Sequence, residues 1–402
     1  WSSCDRFGFV RRSTMHNRSA TAIKVDIADG VLNVMPWGVE PGTYQRMQNL
    51  THAYKRSEIV AAAHGVAVYS VESRVADRPE PTEALRCTTI WSRGVDSFTV
   101  SLDPSSLIDF ETGRAFRSEQ LLTGRAGAYL VSGTIEVPPH SSVQWDLVGD
   151  VGLDQPALVG LLQELQMTPD LRSVIDAALD EETDQLIKLM ATADALQCTG
   201  DSVACANHVA NVTYNTMRGG LPLDGYSVDT DDFSKFLLQR NRQIHDSHQQ
   251  MVATLPRTMH RDELLALLES HGDPQLIRLG LEYLPLGFSR RHGDPSRPWN
   301  EFSIRVTNDD GESIRNYEGN WRDIFQNWEA LCSSFPEYLL SVISVFVNAS
   351  TPDGFNPYRI SRAGIDWEVP EPDHPWSNIG YWGDHQIAYL LALLEASDNH
   401  QP

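Results

Sequence analysis

Residues Ser142-Val143-Gln144-Trp145-Asp146-Leu147-Val148 and Asp154-Gln155-Pro156-Ala157-Leu158-Val159-Gly160-Leu161-Leu162-Gln163-Glu164-Leu165-Gln166 lie almost side by side and obey different periods. In the first stretch Val143, Trp145 and Leu147 alternate with Gln144 and Asp146, the period of a strand with one buried face. In the second, Leu158, Leu161, Leu162 and Leu165 recur every three or four residues, and Pro156 stands where a helix tolerates proline, in its first turn. The chain changes from β to α character at this junction.

Upstream, the alternation repeats. The stretch 10–36 contains Thr21-Ala-Ile-Lys-Val-Asp-Ile27, and 66–75 reads Val-Ala-Val-Tyr-Ser-Val-Glu-Ser-Arg-Val. Further β-rich runs lie at 85–91, 97–102 and 128–137. Short β-branched strands with turn residues between them predict a large antiparallel β-sandwich. Downstream, helical periodicity predicts helices at 156–166, 183–196, 204–217, 231–253, 261–284, 321–332, 336–348 and 382–395. The polar, Gly/Pro-rich stretch 287–300 interrupts them, and 302–317 reads as a hairpin turning at Asn308-Asp-Asp-Gly311. The organisation expected is a β-sandwich domain at 1–155, a helical linker at 156–200 and a helical domain at 201–402.

Bulk composition excludes some classes. The chain has 402 residues, of which 41% are hydrophobic, enough for two or three real cores. Its net charge of -22 repels nucleic acid and anionic membrane, and neutral sugars fit such a surface without penalty. The five cysteines are scattered and none shows metal spacing, which suggests free thiols in a reducing, cytoplasmic compartment. No stretch is apolar enough for a membrane span and the start shows no signal-peptide pattern. The chain starts at Trp1, so an upstream segment is expected.

Chemistry concentrates near the other end. Trp321-Arg322-Asp323-Ile324-Phe325-Gln326-Asn327-Trp328-Glu329 is followed by Gly364-Ile365-Asp366-Trp367-Glu368 and by Gly380-Tyr381-Trp382-Gly383-Asp384-His385-Gln386. Carboxylates, an arginine, amides and indoles recur together. Indole faces stack on pyranose rings, while carboxylates, Arg and Gln bind hydroxyls. Arg322, Asp323, Gln326, Asp366, Trp367, Trp382 and His385 are therefore candidate sugar contacts. Each also has a structural reading: Arg322 and Asp323 as partners at a helix start, Phe325 and Trp328 as core, Trp367 as a loop anchor, Asp384 as a cap. Glu368, then Asp384, are the internal candidates for a catalytic acid.

Other clusters are weaker. Arg290-Arg291-His292 with Arg297 is the one basic knot and suits phosphate, or pairing with Asp294 and Glu301. Asp229, Asp231 and Asp232 suit a helix cap near Phe233. His245 and His248, read as exposed on a helix, lack a third ligand, so no metal is expected.

The motifs carry a resemblance. Arg322-Asp323-Ile324-Phe325-Gln326, the Pro336-Glu337-Tyr338 turn leading into Ser341-Val-Ile-Ser-Val-Phe346, and Gly383-Asp384-His385-Gln386-Ile387 resemble the cellobiose and chitobiose phosphorylase family of inverting glycoside phosphorylases. Asn211-Val-Thr-Tyr-Asn-Thr-Met-Arg218 stands where that family's first barrel helix lies, and Val10 to Ser19 is similar in style to a strand of its sandwich. The resemblance implies a β-sandwich, a helical linker and an (α/α)6 barrel. It implies action on β-linked gluco-oligosaccharides with inorganic phosphate as co-substrate and no other cofactor, and Arg322 and Asp323 as contacts of the sugar whose bond is cleaved. Gly383 departs from the family's aspartate, and 220–320 has no counterpart in it. The family's acid lies later in the barrel, so the resemblance places it beyond Pro402, after about four of the barrel's twelve helices. The alternatives are an inverting hydrolase of the same architecture, or a non-catalytic carbohydrate-binding or assembly half. A homo-oligomer or a further C-terminal segment would be the partner.

Overall fold

The computed structural model describes residues 1–61, 63–73, 84–94, 97–287, 289–290, 308 and 313–400. Antiparallel sheets and helices are both present, divided between two compact units, Trp1–Leu186 and Ile187–Pro402.

The first unit is built on ten strands: β1 (Ser2–Cys4), β2 (Gly8–His16), β3 (Ile23–Val34), β4 (Lys55–Ala61), β5 (Val66–Val71), β6 (Arg86–Arg93), β7 (Thr99–Ser101), β8 (Leu121–Thr123), β9 (Gly127–Val137) and β10 (Ser142–Asp154). Short helices α1 (Pro41–Arg46), α2 (Gln48–Tyr54) and α3 (Ser105–Glu111) lie between strands. Seven strands form one antiparallel sheet in the order β1-β2-β10-β6-β5-β4-β8, and three form another, β3-β9-β7. The stretch 10–36 divides between these sheets, β2 in the first and β3 in the second. Where β3 bulges between Leu32 and Val34, Asn33 takes a left-handed φ of 56°.

Strand β5 shows why its sequence is nearly all apolar. Ala67 and Tyr69 pack with Val34, Ile90, Tyr129, Val131 and Leu147 between the two sheets. Val66, on the opposite face, joins Trp91 and Val148 against Leu165, Leu171, Ile175 and Ala178. Those four belong to α4 (Gln155–Met167) and α5 (Leu171–Thr192), so the seven-stranded sheet is covered on both faces. Helix α5 begins far upstream of the 183–196 expected for it. In its first turns the buried face, Leu171, Ile175 and Ala178, is a narrow stripe that runs into the acidic stretch Asp180–Glu182, too sparse to stand out by periodicity.

One lysine is buried in this unit. Lys55 is 2% exposed, and its ammonium donates to the Val34 carbonyl and lies 5.8 Å from the Tyr69 ring centre. Burial pushes its pKa down to about 8. Because the folded value lies below the unfolded one, the penalty is fully present below pH 8 and vanishes as pH rises through 10.5. The stability difference between Lys55→Met and wild type, from urea melts at pH 7.5 and 10.5, is expected to move in favour of wild type by roughly 3 kcal/mol. A pH-independent difference would place the ammonium in water.

The second unit contains α6 (Ser202–Gly219), α7 (Thr230–Arg240), α8 (Arg242–Ala253), α9 (Arg261–His271), α10 (Pro274–Glu282), α11 (Trp321–Ser334), α12 (Leu339–Ala349) and α13 (Gln386–His400). Short strands run between them: β11 (Leu221–Pro222), β12 (Ser227–Asp229), β13 (Thr258–His260), β14 (Leu286–Gly287), β15 (Ser289–Arg290), β16 (Tyr317–Asn320), β17 (Phe355–Asn356), β18 (Arg359–Ser361), β19 (Gly364–Asp366) and β20 (Tyr381–Trp382).

Two long expected helices are each broken in two. At 231–253, Asn241 is extended and caps α8 through Ile244 N–H. At 261–284, Gly272 takes the left-handed C-cap conformation, Asp273 caps the next helix and Pro274 opens it. The hairpin expected at 302–317 and the basic knot at 290–297 lie outside the described residues, apart from the backbone of Arg290 on β15, Asn308 and 313–317.

Helices α7 to α10 and the β12–β13 ribbon close a core of their own around Phe233, Phe236, Leu264, Leu268, Leu276 and Tyr283. Asp229 caps α7 by accepting from Asp232 N–H. His248 is buried, contrary to the exposed position expected, because its ring bonds Asp273 at 2.9 Å and packs edge-on against His271. Polar contacts fasten this module to the remainder of the unit. Asp232, which accepts from Tyr283 within the module at 2.6 Å, also accepts from Arg362 outside it at 2.7 Å, Arg261 donates to Ser341 and Asn348 donates to Glu282.

Candidate functional site

Helix α11 is amphipathic in a way that sorts its motif. Trp321, Ile324, Phe325, Trp328, Leu331 and Cys332 recur at helical spacing and are all buried in one core with Tyr338, Phe346 and Leu393. Arg322, Asp323 and Gln326 occupy the opposite side, which remains partly open. Asn320 caps the helix by accepting from Arg322 N–H at 2.9 Å. The indoles of Trp321 and Trp328 are thus committed to the core and cannot stack on a sugar.

The motif at 380–386 meets this helix start. Strand β20 carries Tyr381, whose hydroxyl accepts from Asn320 Nδ2 at 3.1 Å. Helix α13 begins at Gln386 and not at Trp382 as expected, because Tyr381 and Trp382 pair with Asn356 and Phe355 and Gly383 turns with a φ of 64°. That turn delivers Asp384 and His385 to α11. Arg322 Nε lies 2.9 Å from Asp384 Oδ2, and His385 Nε2 lies 3.3 Å from Asp323 Oδ1. His385 Nδ1 is 2.8 Å from Asp384 Oδ1, which also accepts the His385 amide. The side chains of Asp323 and Asp384 are 14% and 30% exposed, and those of Arg322 and His385 45% and 41%. The cluster is therefore sheltered but open to a ligand.

Aromatic surface accompanies it from residues that the motif reading passed over. Tyr381 stacks on Tyr358 at 5.5 Å and lies 6.0 Å below the Arg322 guanidinium. Burial pushes the Tyr381 pKa up to about 12, so its hydroxyl stays neutral. Both tyrosines were visible in the sequence, but their pairing depends on β20 meeting β17, two residues before Tyr358, for which no short-range signal exists.

Electrostatics divide the candidate acids. Partial burial pushes the Asp384 carboxyl up, but the His385 amide and the Arg322 charge outweigh it and hold the group below the usual carboxylate range. A carboxylate so held accepts hydrogen bonds well and gives up no proton near neutral pH. Glu368 is exposed, its backbone amide donates to Ile379 O, and no hydrogen bond or ion pair of its carboxylate occurs among the described residues.

The remaining candidates lie apart from the cluster's contacts. Asp366 faces Arg359 across the β18–β19 pair, bonded at 2.8 Å, and Arg359 also holds Glu318. Trp382 neighbours Tyr381 on β20, so its side chain leaves the opposite face of that strand. There its indole donates to Asp353 O at 3.0 Å while staying 68% exposed. Trp367 is half-buried against Gly380, and Gln326 is half-buried one turn along α11 from Arg322. Among the described residues no group of three His, Cys, Asp or Glu side chains is placed to hold a metal ion, and no helix is long and apolar enough to cross a membrane.

Residues 224–285, the module of α7 to α10, match the family model of glycoside hydrolase family 149 insertion domain 1. The segment falls within the stretch 220–320, for which the sequence alone shows no counterpart in the phosphorylase family named above. The match relates the chain to carbohydrate-active enzymes acting on glycosides. No curated protein matches the chain.

Proposed function

We propose that this chain belongs to an inverting glycoside phosphorylase and supplies its sugar-binding wall for β-linked gluco-oligosaccharides, with inorganic phosphate as co-substrate. The observation that carries the reading is the chain of contacts Arg322–Asp384–His385–Asp323 beside the Tyr358–Tyr381 pair. Two carboxylates, a guanidinium and an imidazole offer acceptors and donors to vicinal hydroxyls, and the tyrosines offer a flat apolar face. The match of 224–285 to a glycoside hydrolase family domain supports the same substrate class. The architecture that goes with this reading is a β-sandwich followed by part of an (α/α)6 barrel, in a cytoplasmic enzyme.

Inversion at a β-linkage requires phosphate to attack the face opposite the leaving oxygen while an acid protonates that oxygen. Asp384, held ionised, serves as a hydroxyl acceptor in this scheme, and the proton donor is a group outside the cluster. The test is incubation of the protein, as its native source makes it, with β-linked gluco-oligosaccharides with and without phosphate. Phosphate-dependent release of an α-configured sugar 1-phosphate is the expected result. Release of free sugar at the same rate without phosphate would replace the reading by a hydrolase. Saturable binding with no turnover would leave a carbohydrate-binding half.

A further inference from the structure

The loop that leads into α6 and the helix's first turns each hold one thiol, in an arrangement the sugar-binding reading does not use. Cys205 lies in the first turns of α6, and its sulfur reaches back along the chain to Thr199. The Thr199 amide donates to the Cys205 sulfur at 3.1 Å, and the Thr199 hydroxyl lies 3.4 Å from it. Cys198 is the residue bonded to that same Thr199 nitrogen. The nitrogen is two bonds from the Cys198 Cα, so the Cys205 sulfur lies within about 5.5 Å of that Cα. That upper bound leaves the two sulfurs close enough to join when the Cys198 side chain rotates toward Cys205 and the loop adjusts.

The surroundings favour reaction. Residues 196–204 are all exposed, as is Cys198, and Cys205 is partly exposed. Asp201 caps α6 through Val203 and Ala204 N–H, so the helix start next to Cys205 is fixed. The two Thr199 donors stabilise a thiolate and lower the Cys205 pKa from its ordinary value, the hydroxyl contributing most. The other three cysteines, Cys4, Cys87 and Cys332, are buried, and burial raises their thiol pKa values.

We propose that Cys205 and Cys198 form a peroxide-reactive thiol pair, Cys205 being the attacking sulfur and Cys198 the resolving one, which closes a reversible disulfide across the entry to α6. In the first step the Cys205 thiolate attacks one oxygen of hydrogen peroxide. The O–O bond breaks, hydroxide leaves, and Cys205 becomes a sulfenic acid. In the second step the Cys198 sulfur attacks Cys205, the S–S bond forms and the S–O bond breaks. The departing hydroxide leaves as water with the Cys198 proton. Two thiols lose two electrons and one peroxide is reduced to two waters.

The experiment treats the full chain with a small molar excess of hydrogen peroxide, blocks free thiols under denaturing conditions and maps peptides without reductant. Both cysteines fall in one tryptic peptide, from Leu189 to Arg218. The expected result is that this peptide loses two hydrogens and gains no blocking group. Cutting it before Asp201 then leaves two halves that separate only after reduction. Cys4, Cys87 and Cys332 remain blockable. In Cys198→Ser, Cys205 is captured as sulfenic acid by a cyclic 1,3-dicarbonyl. In Cys205→Ser, Cys198 stays blockable. Three outcomes overturn the proposal: both thiols fully blockable after peroxide, a disulfide joining two chains instead of one, or equal peroxide consumption by wild type and Cys205→Ser. None of these readouts depends on turnover of a sugar, so failure here is distinguishable from failure of the proposed function.

Discussion

Asp323→Asn is expected to lower kcat/KM for a β-linked gluco-oligosaccharide by about 100-fold, about 3 kcal/mol of transition-state binding, while the melting temperature stays within about 2 °C of wild type. Asp323 faces His385 at 3.3 Å, on the open side of α11 and off the apolar face that holds the helix in its core. Its replacement removes a charged acceptor from ligand hydroxyls and leaves packing intact. Isosteric asparagine keeps the shape and loses the charge, so the comparison isolates binding from folding. A fall in melting temperature that parallels the fall in activity would mean that the carboxylate holds α11 to α13, and the sugar-site reading would fail with it.

The largest effect on stability is expected at Asp146. This residue lies on the interior strand β10 with Arg12 directly opposite on β2 and Arg93 directly opposite on β6. Its side chain is 0% exposed and binds Arg12 Nε at 2.7 Å and Arg93 Nε at 3.0 Å. The Asp146 hydrogen bond is the main reason the Arg12 pKa is raised. Asp146→Ala leaves two guanidinium groups facing each other without their shared anion, so a loss of about 3 kcal/mol or more is expected. For a unit of this size that corresponds to a fall in melting temperature of about 6–12 °C. Asp176, which also pairs with Arg12 but is 38% exposed, provides the contrast: Asp176→Ala should cost under about 1 kcal/mol. Equal effects at the two sites would show that burial of Asp146 does not decide its contribution.

These residues differ in how visible they were. The change from alternating to helical periodicity at Asp154 was legible because each side chain's face follows from its nearest neighbours along the chain. Asp154 itself caps α4 by accepting from Ala157 N–H. The apolar face of α11 was partly legible: Phe325 and Trp328, core residues in the structural alternative to the sugar reading, are core residues. The breaks at Asn241 and at Gly272-Asp273-Pro274 were marked in the sequence by cap and breaker residues, and were overrun by a periodicity that continues on both sides of each break. The start of α5 left too faint a trace, since three buried residues suffice when a large sheet lies ready to receive them.

Local order along the chain therefore decided which segments are strands or helices, which side of α11 is apolar, and that acidic and amide groups collect on its other side. Such preferences act over a few residues, where backbone sterics, capping and side-chain spacing operate. The tertiary structure decided which of those polar groups meet. Arg322 is paired with Asp384, His385 with Asp323, Tyr381 with Tyr358, and Asp146 with both Arg12 and Arg93. It also withdrew Trp321 and Trp328 into the core and turned Trp382 away from Tyr381. Each of these outcomes joins groups distant in sequence or selects between two faces of one element. The energy that selects them comes from burying whole surfaces together, and no short stretch of residues contains that term.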